Sequence, residues 1–228
     1  MREIDRIATD EIGLPLLRMM EDAGRGVAAV ARRLLGDRVR GRRIAVLAGS
    51  GGNGGGALVA ARHLAEAGAQ VRLHLAMQHR DPIRATATQR RLAVAAGARM
   101  GKQQPDGHLV IDGLLGYGQS GAPRGRHAEL IAAVEDTHVV AVDVPSGLEL
   151  ATGTRHTPCV TADVTVTLAL PKRALAWHPG VVGRLVLADI GIPPSVYRRA
   201  GIPSPTVLPA GSLVEIAASL TDREPPWP

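Results

Sequence analysis

At 228 residues the chain can bury roughly 70% of the surface its unfolded form exposes, so one domain is expected and a second full domain is not. Aromatic residues make up 2% and phenylalanine is absent, which argues against base stacking as a route to nucleic acid and leaves the core to Ala, Val, Leu and Ile. The formal charge of +6 is almost all arginine, only Lys102 and Lys172 being lysine, and no run of five basic residues occurs; a dispersed, solvated charge is favoured over a nucleic-acid patch.

The lone Cys159 has no partner for a disulfide or a CxxC site, which suits a reducing compartment. Met1 to Asp10 alternates charges and lacks the apolar centre of a signal peptide, and no apolar stretch reaches membrane-span length. A cytoplasmic protein that makes no use of a membrane is expected.

From Leu14 to Leu35 the residues Leu17, Met20, Val27, Val30 and Leu34 recur at helical spacing, with Pro15 suited to a first turn. Arg43 to Ala48 is a short apolar run that reads as a buried strand opening into the glycine-rich segment Gly49 to Gly56. Helical spacing resumes from Ala57 to Ala67 and stops at Gly68, and Val71 to Leu75 alternates as a second strand. Thr86 to Ala96 and Ala128 to Val134 are predicted helices; Leu109 to Asp112, Val139 to Val142, Val164 to Leu168 and Leu185 to Leu187 are predicted strands. Strands alternating with helices of this length predict an α/β fold with a mostly parallel sheet covered on both faces. Pro203 to Pro228 carries several prolines around one short helical segment and reads as a partly extended tail.

In such sheets ligands gather beyond the carboxyl ends of the strands. Three loops there carry chemistry. The glycine run lets backbone N–H groups approach a phosphate, or is simply a tight strand-to-helix turn; it is not a P-loop, because no GK[ST] follows. The segment Asp112 to Ala122 begins with a strand-end carboxylate that can hold a metal ion or a sugar hydroxyl, or cap a turn. Asp143-Val144-Pro145-Ser146-Gly147 delivers a second carboxylate, able to act as general acid or base or to stabilise its loop. The histidines, His63, His74, His79 and His178 among them, show no metal-ligand spacing; no serine sits in a GxSxG elbow; Cys159 has no activating neighbour.

Together these segments resemble the YjeF amino-terminal domain family, best known as NAD(P)H-hydrate epimerases, over about Met1 to Pro193. The likeness rests on Met20-Glu21-Asp22-Ala23-Gly24, the loop Gly49 to Gly56 running into Leu58 to Leu64, Asp112 with Gly116 and Gly118, Asp143 to Leu148, Lys172, Gly183 and Asp189 to Pro193. It implies a Rossmann-like three-layer α/β/α sandwich, often dimeric, so that a homodimer is expected. It also implies interconversion of the R and S epimers of hydrated NADH or NADPH, and a bound potassium ion. In the family pattern that ion falls on Asn53, Asp112 and Ser146, of oxygen-bearing type. The dinucleotide falls on Gly52, Asn53, Gly54, Gly55 and Gly56, on Gly116, Tyr117, Gly118, Gln119, Ser120, Gly121 and Ala122, and on Asp143, which becomes the candidate catalytic residue. Lys172 would meet a phosphate or pack against the loop.

Two departures stand out. The family loop N-N-G-G-D-G reads Gly52-Asn53-Gly54-Gly55-Gly56-Ala57 here, and its G-T-G reads Gly116-Tyr117-Gly118, which puts a phenol toward the ligand channel. They leave open a binding or scaffold domain of weak or no activity, or an enzyme for another nucleotide-like substrate. Bacterial members are commonly fused to an ADP-dependent dehydratase that this chain is too short to contain, so a separate ADP- or ATP-dependent dehydratase is an expected partner.

Overall fold

A computed structural model describes residues 1–76, 82–101, 104–134, 136–203 and 211–216. The elements are α1 (Arg2–Arg6) and a π-helical turn (Ile7–Glu11), α2 (Leu16–Leu34), β1 (Arg43–Gly49), α3 (Gly52–Glu66), β2 (Gln70–Ala76), α4 (Arg84–Ala95), β3 (Arg99–Met100) and β4 (Leu109–Gly113). They continue with α5 (Arg126–Ala132), β5 (His138–Val142), the hairpin β6 (Leu148–Glu149) and β7 (Thr154–Arg155), β8 (Val164–Leu168), α6 (Arg173–Ala176), α7 (Pro179–Val182), β9 (Arg184–Ala188), α8 (Pro194–Arg199) and β10 (Leu213–Ile216).

The eight-stranded sheet runs β10-β9-β8-β5-β4-β1-β2-β3, parallel except where β10 pairs antiparallel with β9. Its strands are buried on both faces, as the continuous apolar runs require. In β1, Ile44, Val46 and Ala48 point into the core shared with α2, α3 and α4, whereas Ala45 and Leu47 point to the face covered by α5. A third cluster joins α1 and the π-turn to α8 and the carboxyl ends of the strands: Ile4, Ile7 and Ala8 pack with Ile190, Val196 and Tyr197. The layers are those of a three-layer α/β/α sandwich.

Two boundaries differ from the sequence reading for identifiable reasons. The glycine run is not a loop as far as Gly56: α3 begins at Gly52, because Gly54 lies so close against Gly49 of the incoming strand that any Cβ would overlap its carbonyl. Gly24 plays the matching part where α2 crosses α3 against Val59. Within the expected tail, residues 204–210 and 217–228 lie outside the described residues, but Leu213–Ile216 is a strand on the sheet edge. His79 also lies outside the described residues.

Candidate functional site

The strand order reverses between β1 and β4: the chain steps from β1 to β2 on one side, then returns to build β4, β5, β8 and β9 on the other. The crevice at such a reversal is where parallel α/β sheets bind ligands. Here the loops after β1, β4 and β5 meet in that crevice.

Asp112, the penultimate residue of β4, is fully buried. Its Oδ1 accepts from the Ser146 hydroxyl at 2.7 Å and from the Leu114 N–H at 3.2 Å, and its Oδ2 accepts from the Ser146 N–H at 2.7 Å. The Ser146 Oγ accepts in turn from the Leu115 N–H at 2.9 Å. Asn53, in the first turn of α3, donates through Nδ2 to the carbonyls of Leu115 and Val142, both at 2.8 Å. Asn53, Asp112 and Ser146 thus converge on the Leu114–Leu115 backbone. Burial pushes the Asp112 carboxyl up to about 6, against the lowering effect of its Ser146 and backbone donors, and among the described residues no cationic side chain pairs with it. The Asp112 carboxylate and the Ser146 hydroxyl are oxygen donors of the kind that hard cations take. Among the described residues no three His, Cys, Asp or Glu side chains are placed to hold a metal.

Asp143 follows β5 with φ +67°, a conformation rare outside glycine that turns its carboxylate back toward β8. Its Oδ1 accepts from the Leu168 N–H at 3.2 Å and from the Lys172 ammonium at 2.5 Å. Lys172 also donates to the Leu168 carbonyl at 2.5 Å and to Thr167 Oγ1 at 3.0 Å. The two side chains are 9% and 5% exposed, so Lys172 is spent on Asp143.

A cavity of about 840 Å³ opens beside these residues. Of the residues singled out from sequence, Gly52, Asn53, Gly116, Tyr117, Gly118, Gln119 and Asp143 form its wall. Gly54, Gly55 and Gly56 face the protein interior inside α3, and Asp112, Ser146 and Lys172 stand behind the wall. Ser120, Gly121 and Ala122 continue the second loop away from it. That loop is tied to the third: Gln119 Oε1 accepts from the Gly147 N–H at 3.0 Å, and the Gly121 N–H donates to Glu149 Oε2 at 2.9 Å. Glu149 also meets His156 Nε2 at 2.8 Å, and this contact, followed by the Gly121 amide, holds its carboxyl below the usual range.

Three parts of the wall were not singled out from sequence. Arg124, ahead of α5, and Arg126, its first residue, bring cations, with His127 beside them, its imidazole pushed down by burial. The third is Asp5 of α1, whose Oδ2 accepts from the Tyr117 hydroxyl at 2.5 Å. The departure at Tyr117 therefore binds the amino-terminal helix and still leaves the cavity open. The spacing Ile4, Ile7, Ala8 was the available signal for a helix docked here. The Cys159 thiol is pushed up to about 11 by burial, in keeping with an unreactive cysteine.

A crevice of this form, at the topological reversal of a mostly parallel sheet and wide enough for a nucleotide, defines a Rossmann-like ligand-binding α/β protein. The family model for the YjeF-related protein N-terminus matches residues 16–174, and the chain belongs to that family. An NAD(P)H-hydrate epimerase of Dehalogenimonas lykanthroporepellens is 43% identical, the match covering 96% of this chain and 91% of that protein. Bifunctional NAD(P)H-hydrate repair enzymes Nnr of Moorella thermoacetica and Hyperthermus butylicus are 38% and 42% identical over 85% and 83% of this chain. The chain spans 39% and 37% of those two proteins. The crystal structure of the yeast protein ynu0 shares the fold, with a TM-score of 0.76 at 21% identity over 94% of this chain and 96% of that one. Among the described residues no helix is long and apolar enough to cross a membrane.

Proposed function

We propose that this chain is an NAD(P)H-hydrate epimerase that interconverts the R and S epimers of hydrated NADH and NADPH, with Asp143 as the catalytic carboxylate. The observation that carries the reading is Asp143, held by Lys172 at the wall of a cavity of about 840 Å³. From β5 to β2 the crevice crosses three strand spacings, about 15 Å. The hydrated ring would lie by Asp143. The phosphates would cross the backbone of Gly52 and of Gly116 to Gln119, and reach toward Arg124 and Arg126.

The reaction inverts a carbon that bears a hydroxyl beside a ring nitrogen, so it needs a group that exchanges a proton with that hydroxyl. Lys172 and the Leu168 N–H fix the Asp143 carboxylate through one oxygen and leave the other available to substrate. Lys172, engaged in this way, is a positioning residue rather than a phosphate ligand. A potassium ion held by Asn53, Asp112 and Ser146 would supply the positive charge that Asp112 lacks and stiffen the junction of the three loops. An S-specific dehydratase, dependent on ADP or ATP, would be a separate partner, a reading supported by the bifunctional relatives, which are more than twice as long.

The test is turnover of the R epimer of hydrated NADH, coupled to an S-specific dehydratase in potassium buffer. Acceleration well above the spontaneous rate is expected, with Asp143→Asn lower by on the order of 10²–10⁴-fold. No acceleration by folded protein would overturn the reading in favour of a binding domain without turnover.

A further inference from the structure

Inverting a carbon needs proton traffic on both faces of the ring, and a carboxylate fixed at one strand end serves one face. Asp5 and Asp143 are the two carboxyls among the described cavity-wall residues, and they stand on different elements. Asp143 follows β5 and Asp5 lies on α1, so the cavity wall takes its two carboxyls from separate elements. On the same segment Glu3 and Glu11 both pair with Arg6. Among the described residues Asp5 makes no such ion pair: its carboxylate is bound by the neutral phenol of Tyr117 at 2.5 Å. The helix is anchored from behind by Ile4, Ile7 and Ala8 in the cluster with α8, so Asp5 is presented on a fixed support.

We infer that Asp5 is a second catalytic residue of this site, exchanging a proton with the substrate on the ring face turned from Asp143, and that Tyr117 is the positioning residue that aims it. This rests on the epimerase reading. One carboxyl gives its proton to the departing hydroxyl, which leaves as water as the C–O bond breaks and the lone pair of the ring nitrogen forms a C=N bond. Water then adds to the other face: its oxygen forms the new C–O bond, the C=N pair returns to nitrogen, and its extra proton passes to the other carboxyl. One proton is given and one taken, so the site ends with the same number of protons, and the opposite epimer runs with the roles exchanged.

The surroundings suit Asp5 to this task. Burial raises its carboxyl above the ordinary range, opposed by the Tyr117 hydrogen bond. The charged groups that act on it are the amino terminus of its own helix, Asp143 after β5 and Lys172 after β8. Tyr117 is pushed well up by burial and by Asp5, so the phenol stays a donor and does not compete as a base.

The experiment compares the full chain with Asp5→Asn, Tyr117→Phe and Asp143→Asn, measuring kcat and KM for the R epimer across pH 4–9 and thermal unfolding alongside. Asp5→Asn is expected to lower kcat by on the order of 10²–10³-fold and to abolish one limb of the pH profile, with an unchanged unfolding midpoint. Tyr117→Phe retains turnover, reduced by roughly tenfold, and moves that limb to higher pH, because the bond that lowers the Asp5 carboxyl is gone. A wild-type-shaped pH profile in Asp5→Asn overturns the assignment and leaves Asp5 as a latch for the helix. Should Asp5→Asn fail to fold, an unmoved limb in Tyr117→Phe overturns it. A wild-type chain that shows no turnover ends the epimerase reading and this assignment together, whereas turnover lost in Asp143→Asn but retained in Asp5→Asn ends this assignment alone.

Discussion

Asp112 and Asp143 end neighbouring parallel strands about 5 Å apart, yet the fold treats them in opposite ways. Asp112 is sealed behind the wall and met only by neutral donors, the Ser146 hydroxyl and two backbone amides. Asp143 reaches the cavity and is matched by an ammonium. A carboxylate with neutral partners holds loops together and invites a mobile cation; one with a built-in cation is aimed and ready to meet substrate. Two residues of the same type at the same edge are thereby divided into a support and a reacting group.

The largest test of that division removes the built-in cation. Lys172→Met leaves the Asp143 charge buried without a partner, which costs about 3–5 kcal/mol, read by urea unfolding. The double variant Asp143→Asn with Lys172→Met is expected to recover most of this loss, since the uncompensated charge is then absent. If the single variant unfolds like the wild type, Asp143 does not depend on Lys172 and the contrast with Asp112 fails.

Much of this arrangement could be read in the residues. Short apolar runs ending in Gly49, Asp112 and Asp143 gave the strands and their carboxyl-end loops, because a strand buried on both faces leaves an unbroken apolar signature. What escaped reading depended on tertiary packing. Gly52 to Gly56 looks like a loop by propensity and is helical, since α3 presses against Gly49 where no side chain fits. The π-turn and α1 are short and rich in charge, so they are helical only because Ile4, Ile7 and Ala8 have α8 to pack on. Lys172 is 29 residues from Asp143, and no local pattern shows that its ammonium returns to that carboxylate. Leu213–Ile216 follows several prolines and becomes a strand only because β9 offers an open edge.

A smaller effect separates the two aspartates by pH. The Asp112 carboxyl, raised to about 6 in the fold, lies above its unfolded value of roughly 4, so between these values the native state binds the extra proton. The contribution of Asp112 to stability in potassium-free buffer is therefore full below about pH 4 and is lost as pH rises through about 6, by an amount on the order of 3 kcal/mol. Asp112→Asn is expected to lack this fall, as is the wild type in potassium if the ion occupies the proposed site. Thermal unfolding from pH 4 to 7 with potassium, and with a bulky quaternary ammonium ion in its place, decides it. Equal curves in both salts would remove potassium from the site while leaving the buried carboxyl in place.

The smallest effect concerns the ties between the loops that follow β4 and β5. Glu149 holds the Gly121 N–H, and Gln119 holds the Gly147 N–H, so the second and third loops are tied at two points. Neither contact touches Asp143 or Asp112. Glu149→Ala should thus loosen the substrate-facing loop without altering the chemistry: KM rises roughly two- to tenfold and kcat is unchanged. A fall in kcat at constant KM would mean that the tie acts on the transition state, and the loop would then belong with Asp143 rather than with the support built around Asp112.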